Sequence, residues 1–228
     1  MASTPHGAAV IPLGHLPGDR PAGAAAYAAA GIGVVSAAAL AAMFAVEVPR
    51  GGPYVFGGIN DFTGGLFFAA SIPAIVQIHR RLGQGPGSRL ALGATVAGSG
   101  AAAVSSVLLS LHLVDFTAST AVTMAGILGQ AVWTAVANHK LAHRAPYPPR
   151  LARAGRALGT GMVIALPVVS AGYAAAGIPA LQTALFAVGG AVGAAAYLAW
   201  PIWLAFAGRQ LTGAAERRAP MRQAPAAA

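Results

Sequence analysis

The sequence predicts an all-α fold: a polytopic membrane protein, a bundle of six transmembrane helices with the N-terminus and the C-terminus in the cytoplasm. Three observations predict it. The 228 residues are 57% hydrophobic and only 8% charged, whereas a soluble domain carries roughly 25% charged residues. So few charges leave a globule of this size without a solvated surface, and a surface facing lipid resolves the problem. Six apolar runs follow one another, separated by short polar connections. Thirteen of the fourteen Lys and Arg fall in the tails and in alternate connections, and Arg50 alone falls in the others. Cytoplasmic segments are the ones enriched in basic residues, which sets the orientation.

Residues 1–22 read as a flexible cytoplasmic tail. With His6, His15, Asp19 and four prolines, they lack the basic start and apolar core of a signal peptide. The first span covers about residues 23–46, roughly 35 Å at 1.5 Å per residue, enough for a hydrocarbon core of about 30 Å. Its alanines let neighbouring helices approach closely. Glu47, Pro49 and Arg50 end it.

Within a glycine-rich stretch, residues 51–65, residues 51–58 are expected to fold back on the outer mouth of the bundle. Six of its fifteen residues are glycine, and Tyr54 and Phe56 would sit at the interface. Asp61 would cap the second span, about residues 62–78, in which Pro73 predicts a kink. His79, Arg80 and Arg81 stop that span, and residues 83–88 form a loop.

The third span, about residues 90–113, places Ser99, Ser106 and Ser110 on one face. The fourth, about 118–138, does the same with Thr123, Gln130, Thr134 and Asn138. These polar faces should point into the bundle, either as helix–helix glue or as the lining of a ligand path. Pro146 to Pro149 form a rigid link. The fifth span is about 157–175, with Pro167 inside it. The sixth is about 180–207, with Gly189 and Gly193 at a packing spacing. Pro73 and Pro167 at matching places would suit an inverted repeat of three spans, as in transporters. Trp133, Trp200 and Trp203 are expected as an aromatic belt at the inner headgroups. Residues 208–228 read as a disordered basic tail.

At the outer face Glu47, Asn60, Asp61, His112 and Asp115 form a candidate cluster for a divalent cation or for acid–base chemistry. His79 and His139, facing the cytoplasm, are a bis-histidine haem candidate, although histidines at helix C-termini more commonly complement the dipole. No cofactor is expected. The absence of cysteine excludes disulfides and thiolate chemistry. No nucleotide or nucleophile motif is present. The formal charge of +9 lies between apolar runs rather than on a basic domain, so nucleic acid is not expected as a partner. The expected partners are the lipid bilayer and a second copy or another membrane protein, through small-residue helix faces. Alanine, glycine, proline and arginine abound while Lys140 is the only lysine, which points to a GC-rich bacterium and its cytoplasmic membrane. The function predicted is non-catalytic: binding or passage of a small neutral molecule or lipid, or service as a partner subunit. The alternative is a small membrane enzyme or metal-binding protein around Asp61 and His112.

Overall fold

The computed structural model describes residues 13, 15–82, 85–143 and 147–216. Most of the predicted N-terminal tail, Gly83 and Gln84, Arg144 to Pro146 and the last twelve residues lie outside them.

The described chain is helical. Its long helices are α1 (Asp19–Ala42), α2 (Val55–His79), α3 (Pro86–Ser110), α4 (Phe116–Ala142), α5 (Pro149–Ala174) and α6 (Pro179–Glu216). A π-turn, Met43–Glu47, and a 3-10 turn, Val48–Arg50, extend α1. All six are long and apolar enough to span a membrane, and the chain is a multi-pass membrane protein. Each helix packs on its sequence neighbours, and α1 packs on α6, which closes a ring. The described termini lie at one end, where Gly208 rests against Gly23 and Ala26. We call this the termini end and its opposite the far end.

Local chemistry explains the helix starts. α3, α5 and α6 begin on proline, whose missing N–H costs nothing in a first turn. α4 begins after Asp115, whose Oδ1 accepts from the Ala118 N–H at 2.9 Å. α3 ends with His112 at φ 57°. The His112 and Leu113 N–H groups bond back to Leu109 and Leu108 carbonyls at 2.9 Å each. That is the left-handed helix stop more often built on glycine.

Three expectations are corrected here. The glycine-rich stretch is not a long loop: residues 51–54 make the turn, and α2 begins at Val55. Asp61 therefore lies inside the helix and does not cap it. The cap comes from the neighbouring helix, because the Glu47 carboxylate accepts from the Phe56 and Gly57 N–H groups at 2.8 and 3.2 Å. The in-helix glycines serve close approach instead. A Cβ on Gly65 would lie 2.8 Å from the Ala103 carbonyl of α3.

The tryptophans do not form an interfacial belt. Trp133, Trp200 and Trp203 are buried inside the ring. Trp203 Nε1 donates to the Leu151 carbonyl at 3.2 Å. Trp200 meets Phe67 edge-on at 6.3 Å between centroids. Burying an indole this way uses its apolar area and satisfies its single donor.

The tails are also more ordered than predicted. α6 continues past residue 207 to Glu216, and α1 starts at Asp19 rather than at residue 23. Asp19 is fully buried and pairs with Arg81 at 2.6 Å.

Packing is uneven along the ring axis. The large buried apolar side chains, among them Ile78, Leu141, Leu204 and Leu211, lie in the half nearer the termini. In the far half the buried positions described are small or polar, such as Ser36, Gly57, Ser106 and Ser119. The termini half is filled by large side chains, and the far half is lined by small and polar ones.

Candidate functional site

Two polar sites lie inside the ring, one at mid-height and one in the far half.

The mid-height site centres on Gln130 of α4, which is 0% exposed. Its Nε2 donates to Ser71 Oγ of α2 at 3.0 Å and to Ser99 Oγ of α3 at 2.8 Å. Both serines are oriented to receive it, since they donate to the Phe68 and Thr95 carbonyls of their own helices. Thr134 Oγ1 donates to the Gln130 carbonyl at 2.7 Å. Asn138 Nδ2 donates to the Thr134 carbonyl, and Asn138 Oδ1 accepts from Tyr147 OH at 3.2 Å. Burial pushes the Tyr147 phenol above its ordinary range, so it remains a protonated donor. The polar face of α4 thus ties three helices and a connection together.

Gln130 Oε1 is the one buried side-chain atom among the described residues that lacks a hydrogen-bond partner. Two interhelical bonds in a membrane contribute roughly 0.6 kcal/mol each, while an unsatisfied buried carbonyl costs about 1–3 kcal/mol. Gln130→Leu removes both at once. The net change in unfolding free energy in mixed micelles should therefore lie within about 1 kcal/mol of zero, on the stabilising side. A loss well above 1 kcal/mol would show that Oε1 is satisfied in the working protein.

The far-half site joins α1, α2 and α6. Ser36 Oγ donates to Asn60 Oδ1 at 2.9 Å. The Ser36 hydroxyl has one proton, so its 3.1 Å contact with Tyr197 OH is a bond donated by the tyrosine. Beside Asn60 stands Asp61, half-buried and near enough to Tyr197 to interact through its charge. Val55, Ile59, Phe62 and Leu66 are exposed along the opposite, lipid-facing side of α2. Asp61 lies off that stripe, and its charge acts on Tyr197 of α6.

The other candidates have roles of their own. His112 and Asp115 are exposed in the α3–α4 corner, where they serve as helix stop and cap. No hydrogen bond or ion pair joins Asp61 to His112 among the described residues. Glu47 is committed to capping α2. No three His, Asp or Glu among the described residues converge closely enough to hold a metal ion. At the termini end Trp133 Nε1 donates to His79 Nδ1 at 3.1 Å, so His79 Nε2 carries a proton and meets Ser88 Oγ at 3.1 Å. With both nitrogens engaged, His79 has none to offer a haem iron. His139 stacks edge-on against His143.

Protein-family models, curated proteins and solved structures were compared with the chain. Nothing matches. Sequence reasoning missed Ser36, Ser71 and Tyr197. Their signal was present but slight: a lone polar residue in an otherwise apolar run, which in lipid must find a partner.

Proposed function

We propose that this chain is a non-catalytic binding protein of the bacterial cytoplasmic membrane. It has both termini in the cytoplasm and takes up a small molecule from the outer side, into the far half of its helix ring. The observation that carries this reading is the contrast between the two halves. The inner half is filled by Trp133, Trp200, Trp203 and Ile78. The far half holds Asn60, Asp61 and Tyr197, which are only partly covered. Passage across the membrane would require the inner plug to move, so binding is the function of this conformation. Sidedness rests on the distribution of Lys and Arg. The enzyme alternative around Asp61 and His112 loses support because Asp115 and Glu47 are committed to helix caps. The use of Gly189 and Gly193 as a dimer face loses support as well, because both glycines lie against α5.

Cysteine accessibility tests both parts, since the chain has no cysteine of its own. Thr117→Cys, at the exposed far corner, should react with an impermeant methanethiosulfonate in intact cells. Gly87→Cys, exposed at the termini end with nothing within 4 Å, should react only after lysis. The reverse pattern would overturn the orientation. Gly64→Cys probes the ring interior, where its Cβ would meet only Ser36 Oγ, at 3.7 Å. It should react from outside, because a thiolate forms only where water reaches. Phe62→Cys, on the lipid side, should not. An unreactive Gly64→Cys beside a reactive Thr117→Cys would end the binding-site reading.

A further inference from the structure

We propose that the ligand of the far-half site is a small organic ammonium compound, bound through the Asp61 carboxylate. This inference rests on the binding-site reading above and adds the ligand's chemical class.

Three carboxylates lie at the far end. Glu47 receives two backbone N–H groups of α2, and Asp115 receives one of α4. Each is explained by the helix it caps. Asp61 is the third, and it caps nothing. It lies six residues into α2, about 9 Å along the helix from Val55, off the lipid-facing stripe. The single ion pair among the described residues is Asp19–Arg81 at the other end. Asp61 interacts with the Asn60 amide by a hydrogen bond and, across the ring, with the Tyr197 hydroxyl. Neither carries positive charge.

A carboxylate in a partly desolvated position without a cation is unfavourable, and ionisable residues inside membranes commonly mark a functional site. A cationic ligand supplies the missing charge. A divalent metal ion does not suit the site: calcium takes six to eight oxygen ligands, and among the described residues no group of three His, Asp or Glu gathers at Asp61. An ammonium group needs only a carboxylate and one or two neutral acceptors. The proton order Tyr197 to Ser36 to Asn60 fixes Asn60 Oδ1 as an acceptor. Phe67 and Trp200 close the ring below, six residues further along α2. An apolar body attached to the ammonium would extend toward those two rings, where a flat hydrocarbon group is favoured over a hydrated one.

The test uses the purified full chain in detergent and two probes of equal shape, phenethylammonium and 2-phenylethanol. Phenethylammonium should raise the thermal midpoint in a saturable way, with an apparent Kd at least tenfold tighter than that of the alcohol. Asp61→Asn, which keeps the shape, should lose at least tenfold of the ammonium affinity and leave the alcohol unchanged. Equal responses to both probes, or ammonium binding retained in Asp61→Asn, would overturn the ammonium assignment. So would no response to either probe. If Asp61→Asn does not fold, the comparison of the two probes on the unaltered protein still decides the matter. Reactivity of Gly64→Cys separates the two failures. A reactive cysteine without ammonium selectivity leaves the site and removes the ligand class, and an unreactive one removes both.

Discussion

Arg81→Ala should destabilise this protein by about 3–5 kcal/mol, the cost of breaking a buried ion pair from one side. The Arg81 and Asp19 side chains are 0% and 2% exposed, and Arg81 Nη2 meets Asp19 Oδ2 at 2.6 Å. The pair sits in a network. Arg81 Nη1 donates to the Gln77 carbonyl, and Gln77 Nε2 donates to Asp19 Oδ1 at 3.1 Å and to the Pro17 carbonyl at 2.9 Å. Arg80 donates to the same Pro17 carbonyl at 3.2 Å. The network ties the start of α1 to the end of α2 and draws Leu13 into the core. Alanine at 81 leaves the Asp19 carboxylate buried without its cation, and that desolvation is the main cost. Unfolding in mixed micelles measures it. The double variant Asp19→Asn with Arg81→Met should recover much of the loss, because neither charge then remains to be desolvated. A single variant within 1 kcal/mol of the parent would mean that water reaches the pair.

The membrane class was legible because composition and run length are one-dimensional signals. So was the buried, polar face of α4, because Thr123, Gln130, Thr134 and Asn138 repeat at helical spacing. What escaped was pairing between distant residues. Nothing near Asp19 in sequence announces Arg81, and the excess of polar residues before residue 23 resembled a tail. The glycine-rich stretch misled for a physical reason. Glycine is unfavourable in a soluble helix by roughly 1 kcal/mol relative to alanine. Between membrane helices it is a way to bring backbones together. Glu47, ten residues upstream of Gly57, supplies the cap that Asp61 was expected to give. The tryptophans misled similarly. Their height in the sequence suited an interfacial belt, but which way an indole points depends on neighbours. Gly155 shows this well, since it makes room beside Trp203 Nε1.

Gly159→Ala should cost about 3 kcal/mol, at the upper end of what overpacking a well-packed core costs. Gly155 and Gly159 are four residues apart and form the face of α5 that meets α4. A Cβ at 159 would stand 2.5 Å from both the Ala131 carbonyl oxygen and the Ala135 nitrogen. Both are backbone atoms of α4 and have no rotamer by which to retreat. One methyl group therefore has to push the two helices apart. Ala131, Thr134 and Asn138 lie on that face of α4, so the Asn138–Tyr147 bond and the Gln130 site should be strained with it. Gly129→Ala is the control. It lies in the same region of α4, but a Cβ there meets nothing within 4 Å, and it should be neutral or mildly stabilising. If Gly159→Ala proves as harmless as Gly129→Ala in mixed-micelle unfolding, α4 and α5 do not approach as closely as described. The inner plug, which depends on that approach to bury Trp203 beside Gly155, would then be looser than the binding-site reading requires.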